Sequence, residues 1–520
     1  MNFGGLEIID DIFNKSSFIR KKENFLGLSG QILQRCQDFY EDTYKGYYLL
    51  SNFQRGGRVV LLNPEARAVL DLIDGERTIE EIYKIITNKK ELSFKNILTQ
   101  FSAYWRGYAK FEDLFNLILR GKVSLEDFCF FLNILRKSQI IFLEKEAEEQ
   151  NNEVPKVKNL DVWFHLTNQC NFRCKYCYVE KSSQRVPSFQ GEKFIDKLFK
   201  IAEKNNINQL KIRFSGGEPL LEFESLKKTV DYAQKKILLK SFLLKLGLVT
   251  NGSLINQEIS EFLQRNRFSV MVSLDGLEAY HNRQKQKLDG GGTFDSVKRG
   301  IKLLQQYHIH FNVNTVITKI NLANLEEFVD WLISEKIKFL FTFARKNLSG
   351  DSNFLPSNQE LTEVLLKIYK NLQTADLNYG YFPEISSCLA NKIPLFYKNR
   401  KICGMGSETL ILNQKGDIFP CQMLISYEEY KIGNLLNQEN MVLENLRNNK
   451  ISKLNLPVEE RSRCSNCEWR YVCRGGNCPL DSFWHFSCEN FSSYYCSTFK
   501  AIIPEAIKLE AERLLRYRNQ

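Results

Sequence analysis

The segment 167–178 (TNQCNFRCKYCY) carries three cysteines in the spacing Cys-x3-Cys-x2-Cys, at Cys170, Cys174 and Cys177. Three thiolates on one short loop can bind three irons of a [4Fe–4S] cube, which leaves the fourth iron free to bind a small molecule. A zinc site that lacks its fourth ligand is the rival interpretation, but zinc sites favour paired Cys-x2-Cys units. The spacing therefore predicts a reactive iron–sulfur cluster.

The cysteine loop lies in a region where predicted strands and helices alternate. The predicted strands are Val162–Leu166, Leu210–Phe214, Leu243–Val249, Ser269–Ser273, Phe311–Ile317 and Phe339–Phe343. The intervening helices are Lys193–Glu203, Phe223–Lys235, Gln257–Gln264, Phe294–Gln306 and Leu325–Ser334. Six such units predict an α/β fold with a parallel sheet, closed or partly closed into a barrel. Chemistry in such barrels lies at the C-terminal strand ends, where the cysteine loop follows the first strand.

The length of 520 residues suggests about three domains. A charged, polar linker at 146–160 separates a smaller N-terminal unit at 46–145 from the barrel at 161–380, and a region rich in cysteine and glycine follows at 381–520. Residues 1–45 receive no assignment.

The N-terminal unit has the element order of a winged helix. A strand at 58–62 precedes Asn63-Pro64, an N-cap and a first-turn proline that open a helix ending at Asp74-Gly75. Thr78-Ile79-Glu80-Glu81 matches a capping box that opens a second helix. A helical stretch near 124–136 and a short apolar run at 140–143 complete the pattern.

The cysteine loop resembles the signature of the radical SAM enzymes, including the aromatic Tyr176 before the last cysteine. The resemblance continues at Ser215-Gly216-Gly217-Glu218-Pro219 after the second strand, which is similar to the Gly-Gly-Glu motif of that family. It implies a partial (β/α)6 radical SAM barrel with one S-adenosylmethionine (SAM)-binding cluster. The implied chemistry belongs to the cofactor: SAM is cleaved to a 5′-deoxyadenosyl radical, which abstracts hydrogen from the substrate.

The same resemblance implies the contacts with SAM. Gly216, Gly217 and Glu218 would meet its amino group, and Ser273 and Asp275 belong to a motif on its ribose side. The family continues with His-Asp-x-x-Arg, whereas this chain reads HNRQK at 281–285. Either Lys285 or Arg283 could therefore approach the SAM carboxylate. Asn314-Thr315-Val316 lies where the family packs the adenine, and an ordinary barrel strand is an equally good interpretation of it.

The C-terminal cysteines resemble the SPASM domain, whose seven cysteines hold two auxiliary [4Fe–4S] clusters. The matching residues are Cys403, Cys421, Cys464, Cys467, Cys473, Cys478 and Cys496. By this resemblance Cys464, Cys467, Cys473 and Cys496 bind the second auxiliary cluster, and Cys403, Cys421 and Cys478 bind the first. The spacing departs from the family's at one point, the extra residue Asn477, and a pair of structural zinc sites is the rival interpretation.

The fourth ligand of the first auxiliary cluster stays open, with Cys388 expected and Cys488 as a spare. If neither binds, the open iron could take a substrate thiolate. No role follows for Cys36 or Cys129. In the sulfatase-maturing relatives an Asp, a proposed base, follows the cysteine equivalent to Cys421. This chain has Gln422 there, which argues against sulfatase maturation and leaves the catalytic base unknown.

The N-terminal unit resembles a RiPP recognition element, a winged-helix domain that binds the leader of a ribosomal precursor peptide. The match is best over Tyr47–Ile86, and residues 88–123 resemble an insertion. Such a domain takes up the leader as an added strand at a sheet edge. A winged helix that binds DNA is the alternative, but Thr78–Ile86 contains one lysine and no dense basic patch. No nucleic-acid partner is therefore expected.

The composition supports a cytoplasmic protein. The N-terminus has no signal-peptide pattern, and the two most apolar stretches are broken by lysine or arginine, so no membrane association is expected. Fourteen cysteines, three groups of which are predicted to bind clusters, imply a reduced compartment. The formal charge of +11 is too diffuse to name a partner.

Together these features predict a radical SAM/SPASM peptide maturase with SAM and three [4Fe–4S] clusters as cofactors and a ferredoxin or flavodoxin as electron donor. We expect a thioether or carbon crosslink in the core of the precursor peptide. Two alternatives remain open: a maturase of a folded protein of the sulfatase-maturing type, and a non-enzymatic iron–sulfur redox regulator that binds DNA.

Overall fold

The structure is a computed structural model, and it describes most of the chain in several ranges. The described residues are 31–35, 40–51, 60–62, 64–88, 140–143, 158–187, 190–345, 353–375, 401–437, 442–476, 478–480 and 493–518, with six separate positions between 125 and 136. Cys36, Cys388, Asn477 and Cys488 therefore lie outside the described residues.

The N-terminal unit combines two small antiparallel sheets with helices. Its strands are β1 (Leu33–Arg35), β2 (Tyr40–Tyr44), β3 (Tyr47–Ser51), β4 (Val60–Leu62) and β5 (Ile141–Leu143), and its helices are α1 (Pro64–Asp71) and α2 (Ile79–Asn88). The strands pair in the orders β1-β5 and β2-β3-β4. Side chains from both sheets and helices, including Leu50, Ile82, Phe128 and Cys129, form a separate core. Cys129 is therefore a core residue.

The N-terminal unit begins earlier than position 46. Strands β1 and β2 lie within residues 1–45, which were unassigned from the sequence, and they pair with β5 and β3. The predicted capping box is confirmed: the Thr78 N–H donates to Glu81 Oε2 (2.8 Å), and the Glu81 N–H donates to Thr78 Oγ1 (3.3 Å). Helix α1 begins at Pro64, as its first-turn position predicts.

A run of parallel strands with crossover helices forms the centre of the molecule. The strands of this run are β6 (Asn159–Thr167), β8 (Gln209–Gly216), β9 (Leu243–Thr250), β10 (Ser269–Ser273), β12 (Phe311–Ile317) and β13 (Phe339–Phe343). Two short strands, β7 (Phe172–Cys174) and β11 (Lys285–Lys287), pair antiparallel with each other in a separate sheet. The helices are α3 (Gln190–Lys204), α4 (Phe223–Ile237), α5 (Gln257–Arg265), α6 (Glu278–Gln284), α7 (Phe294–Gln306), α8 (Leu325–Ser334) and α9 (Asn358–Thr374). All six predicted strands and five predicted helices are present.

Among the described strands, the parallel run does not close on itself. Its order is β13-β12-β10-β9-β8-β6, so the first and last strands do not pair. One face of each strand packs on the helices, as where the Phe164 and Phe194 rings meet edge to face at 5.5 Å. The other face is less covered: in β12, Val313 is fully buried, whereas Asn312 and Asn314 are half-buried. The inner face of the sheet is thus left for polar side chains.

The C-terminal region extends the same sheet. Its strands are β14 (Thr409–Leu412), β15 (Asp417–Phe419) and β16 (Gly433–Asn434), and its helices are α10 (Val442–Asn448), α11 (Arg470–Cys473) and α12 (Cys496–Arg518). Strand β14 pairs in parallel with β6, and β15 and β16 follow it. Because β6 carries the cysteine loop at its end, this pairing brings the C-terminal cysteines toward that loop.

The N-terminal unit packs on the C-terminal region. The Lys45 ammonium lies 2.7 Å from Glu512 on α12, and the Tyr44 hydroxyl donates to the same carboxylate. The ring centroids of Tyr40 and Trp469 are 5.4 Å apart. Within the described ranges, none of the helices is both long and apolar enough to span a bilayer.

Candidate functional site

The first cysteine group lies on the loop between β6 and α3. Strand β7 within this loop pairs with β11, and Lys285 stands opposite Cys174. Burial raises the pKa of the Cys174 thiol to about 11, and the nearby thiols of Cys177 and Cys170 act in the same direction. The fold therefore brings the three cysteines into mutual electrostatic range at the C-terminal end of the first barrel strand.

Two glycines let the next strand end approach this loop. The Gly217 N–H donates to the Thr167 carbonyl (2.7 Å), and the Glu218 N–H donates to the Gln169 carbonyl (2.8 Å). A Cβ on Gly217 would lie 1.9 Å from the Gln169 oxygen, and Gly216 has φ +138°. The family resemblance implies that these glycines contact the amino group of SAM. In the structure, their lack of side chains also lets the backbone of the cysteine loop approach closely.

Glu218 connects the second and third strand ends. Its buried carboxylate accepts from Thr250 Oγ1 (2.7 Å) and from the backbone N–H of Asn251 (2.8 Å) and Leu220 (3.1 Å). Burial raises the pKa of Glu218 to about 7, although these three donors favour the charged form. Asn251 in turn donates to Asn171 on the cysteine loop (2.8 Å). The three strand ends therefore form one hydrogen-bond network.

Asp275 is the centre of a second network at the fourth strand end. The Tyr176 hydroxyl donates to its carboxylate, and the Lys285 ammonium lies 3.6 Å from it. Lys285 also lies over the Tyr176 ring, 5.5 Å from the centroid. Burial opposes the charge of Lys285, but Asp275 and the three thiols outweigh burial and raise its pKa. The cysteine loop thus reaches the fourth strand end through the Tyr176 hydroxyl, next to the buried Asp275–Lys285 ion pair.

The structure places the two basic residues that the sequence left open in different surroundings. Lys285 is buried at the site, whereas Arg283 is exposed. The preceding Asn282 accepts from the backbone N–H of Thr293 (2.8 Å) and Phe294 (3.0 Å) at the start of α7. That role needs only an acceptor oxygen, which explains why Asn can stand where the family has Asp.

Ser273 and Asn314 face the inner side on adjacent strands. The two residues pair in register, and both are half-buried. Asn314 accepts from the Thr342 hydroxyl (2.8 Å), and the Val316 N–H donates to Asp275 (3.0 Å). The strand ends from β6 to β13 are therefore linked across the top of the sheet.

A second thiol group contains Cys403, Cys421 and Cys478. Burial raises the pKa of Cys421, and the thiols of Cys478 and Cys403 raise it further. Asn455 fixes Cys403 by accepting from its N–H (3.2 Å) and donating to its carbonyl (2.8 Å). The side chains around this group are apolar, and they include Met405.

A third group contains Cys464, Cys467, Cys473 and Cys496. Burial raises the pKa of Cys473 to about 12, and the thiols of Cys464 and Cys467 act in the same direction. Cys467 also acts on Cys496. Among the residues that the structure describes, no three His, Cys, Asp or Glu side chains converge closely enough to hold one metal ion.

The first and second thiol groups are joined by a segment that the sequence did not single out. Ser426 accepts from the Glu180 N–H (3.0 Å) and donates to the Tyr178 carbonyl (3.4 Å). Burial raises the pKa of the Tyr178 phenol, and the thiols of Cys177 and Cys421 both act on it. The two cysteine loops are thus fixed to each other through residues 178–180.

Lys181 is a second residue that sequence reasoning missed. Its ammonium lies 3.1 Å from the Cys177 sulfur. Only its position four residues after the last cysteine could have drawn attention to it, and a lysine at that spacing has no distinctive pattern.

Two family models match the chain. The one described as the radical SAM superfamily covers residues 164–332, and the one described as an iron–sulfur cluster-binding domain, SPASM, covers residues 403–468. The first range contains the whole first thiol group with Glu218, Asp275 and Lys285. The second range contains Cys403 and Cys421 and ends after Cys467.

Curated proteins resemble half of the chain or more. The chain is 31% identical over 268 residues to the uncharacterised protein MJ0907 of Methanocaldococcus jannaschii. This alignment covers 50% of this chain and 83% of that protein. It is 25% identical over 356 residues to a cysteine-type anaerobic sulfatase-maturating enzyme of Clostridium novyi, which covers 63% of this chain and 92% of that enzyme.

Solved structures share the fold. Native anSMEcpe with bound AdoMet and a Cp18Cys peptide matches with a TM-score of 0.57 at 23% identity, over 69% of this chain and 99% of that one. SuiB of Streptococcus suis bound to the precursor peptide SuiA matches with a TM-score of 0.51 at 17% identity, over 89% of this chain and 100% of that one. Residues 158–520 make up only about 70% of the chain, so the second match extends into the N-terminal unit.

Gly217→Ala tests the packing of the second strand end on the cysteine loop. The added methyl group would lie 1.9 Å from the Gln169 oxygen, so the loop must move. We expect the anaerobically reconstituted variant to lose the iron of the first thiol group, measured as iron per chain. Gly291→Ala is the matched control, because its Cβ would meet the flexible Asp289 side chain at 3.1 Å. Full iron content in G217A would contradict this role.

Asp275→Asn tests the buried ion pair. The side chains of Lys285 and Asp275 are 5% and 0% exposed, so the variant leaves a buried charge without its partner. We expect the free energy of unfolding to fall by about 3–5 kcal/mol, measured by urea unfolding followed by tryptophan fluorescence. The double variant D275N/K285M removes both charges and should be less destabilised than D275N. Equal losses in both proteins would show that the pair does not carry the effect.

Proposed function

The chain belongs to the radical SAM superfamily and carries a C-terminal SPASM domain, and on this basis we propose that it modifies a ribosomally synthesised precursor peptide. The observation that carries the proposal is the presence of three thiol groups in one chain whose N-terminal unit packs on the C-terminal helix. The N-terminal unit would hold the leader of the peptide, and the inner face of the barrel would receive its core.

The residues at the first thiol group fit a SAM-binding cluster. Cys170, Cys174 and Cys177 supply three thiolates, so a [4Fe–4S] cube bound there keeps one iron open. With SAM bound and after one-electron reduction, such a cluster would supply a 5′-deoxyadenosyl radical for hydrogen abstraction from the peptide. Tyr176, Gly216, Gly217, Glu218, Ser273, Asp275 and Lys285 are the residues that we assign to SAM. The rigid network through Glu218 and Asp275 would hold these strand ends in one geometry.

The other two thiol groups fit two auxiliary [4Fe–4S] clusters. Cys464, Cys467, Cys473 and Cys496 form a complete ligand set for one of them. Cys403, Cys421 and Cys478 supply three ligands for the other, and Cys388 is our proposed fourth, with Cys488 as the alternative. A cube binds each thiolate through a different iron, so thiols that come together from separate segments of the chain suit it.

Auxiliary clusters suit a crosslinking reaction. Closing a thioether or carbon–carbon bond from a substrate radical releases one proton and one electron, and a nearby cluster can accept that electron. The contact of residues 178–180 with Ser426 holds the second thiol group next to the first. We therefore propose that the product is a crosslinked peptide. A ferredoxin or flavodoxin would reduce the SAM-binding cluster.

The N-terminal unit suits peptide binding better than DNA binding. Helix α2 presents Glu80 and Glu81 in its first turn, and its Lys84 is paired with Glu80 (3.0 Å). Phosphate contacts need unpaired lysine or arginine side chains. In contrast, β4 has a strand partner on one side only among the described strands, and an extended peptide can add to such an edge.

A maturase of a folded protein is the second candidate, favoured by the 25% identity to the Clostridium novyi enzyme. Gln422 argues against it. The residue is half-buried next to Cys421, and its Oε1 finds no hydrogen-bond partner among the described residues. An amide cannot accept a proton from a reacting group near neutral pH as a carboxylate can. The base of the sulfatase-maturing type is therefore missing at this position.

Iron content tests the three-cluster assignment. We expect about twelve irons per reconstituted chain, about eight after Cys170, Cys174 and Cys177 are all replaced by alanine, and no change for Cys129→Ala, which is the control in the N-terminal core. Iron is measured by chelation and the clusters by Mössbauer spectroscopy. About four irons together with zinc in the native protein would refute the assignment.

Coexpression tests the substrate. The full-length protein is produced with each short open reading frame next to its gene, and the peptides are analysed by tandem mass spectrometry. We expect a loss of two hydrogens for each crosslink, together with 5′-deoxyadenosine. An aldehyde detected with a hydrazide probe on a coexpressed sulfatase would favour the second candidate instead. Binding to duplex DNA without any 5′-deoxyadenosine would favour a redox regulator.

A further inference from the structure

Among the described residues, Lys181 is the one whose ammonium is in direct contact with a thiol of the first group. Its Nζ lies 3.1 Å from the Cys177 sulfur. Among the described residues, it forms no ion pair with a carboxylate. Lys285, another cation near these thiols, has Asp275 at 3.6 Å. The charge of Lys285 is thus balanced by its partner, whereas the charge of Lys181 is directed at the cysteine group.

The backbone before Lys181 is fixed by contacts with the C-terminal region. Ser426 holds Tyr178 and Glu180, and Val179 between them is 5% exposed. Tyr178 packs against a cluster formed by Ile411, Phe419 and Ile425. The hydrogen bonds to Ser426 and the packing of Tyr178 fix the backbone of residues 178–180. The backbone of Lys181 is therefore held close to Cys177.

We propose that Lys181 donates an N–H···S hydrogen bond to the Cys177 sulfur in the assembled cluster and thereby makes that cluster easier to reduce. The proposal rests on the proposed function, since it needs a cluster at Cys170, Cys174 and Cys177. Hydrogen bonds to the sulfurs and nearby charge both set the reduction potential of iron–sulfur clusters. A cation stabilises the reduced state more than the oxidised state, because reduction adds one negative charge next to it.

The neighbouring groups support this position of the charge. Glu218 is fully buried with its pKa raised by burial, and the Lys181 ammonium is among the groups that oppose this rise. Cys170 shows the same pattern, with burial dominant and Lys181 opposing it. The ammonium therefore lies within electrostatic range of Cys170 and Glu218 as well as in contact with Cys177. Lys181 is a positioning and tuning residue, and it need not touch the substrate.

The test uses the full-length protein with all clusters reconstituted. We compare the wild type with Lys181→Met, which removes the donor and the charge, and with Lys181→Arg, which keeps both. Lys175→Met is the matched control, because Lys175 is an exposed lysine on the same loop. The potential is measured by redox titration followed by EPR, using the signal that changes when SAM is added to identify the SAM-binding cluster.

We expect the equilibrium constant for reducing the SAM-binding cluster to be about tenfold lower in K181M. This corresponds to a reduction potential about 59 mV lower for one electron. K181R should lie close to the wild type and K175M should not differ from it. Iron content checks that each variant holds its clusters. A potential of K181M equal to that of K175M would overturn the inference, and so would a K181M protein whose only change is weaker SAM binding. A wild-type protein without a SAM-responsive cluster would instead refute the proposed function.

Discussion

The site depends on the backbone contact between the ends of β6 and β8. Two hydrogen bonds join Gly217 to Thr167 and Glu218 to Gln169, in a space that admits no side chain on Gly217. Because this contact places the Glu218 carboxylate under the third strand end, it also fixes the position of Asn251 and, through Asn251, of the cysteine loop itself. The loop is therefore held from both sides by one motif.

The edge of the barrel sheet provides the second constraint. Strand β6 does not pair with β13, so the barrel does not close there. Strand β14 of the C-terminal region pairs with that edge of β6 instead. Beyond β14, Gln414 donates to Asn168 on the cysteine loop (2.8 Å). An open barrel thus gives the C-terminal cysteines a fixed distance from the first group, which a flexible tether between two closed domains would not give.

The sequence predicted the strands and helices well because their apolar positions are regular. Helices α7 and α8 and strands β10, β12 and β13 have the predicted bounds. The β7–β11 pairing could not be predicted, because two three-residue strands contain no repeating pattern. This pairing determines the burial of the basic residues: Lys285, which stands opposite Cys174, is buried, and Arg283 is exposed. Contacts between remote segments, such as Ser426 with Tyr178, leave no local signal.

The charge state of the thiols explains how the chain can form these groups before iron arrives. Burial raises the pKa of Cys174, Cys421 and Cys473, so the thiols are neutral near pH 7 in the folded chain. Burying neutral thiols costs far less than burying thiolates, since an unpaired buried charge is penalised by several kcal/mol. Iron binding then requires deprotonation and releases protons. At the first group, the Lys181 ammonium opposes the burial that raises the pKa of the Cys170 thiol, so it lowers the cost of that step.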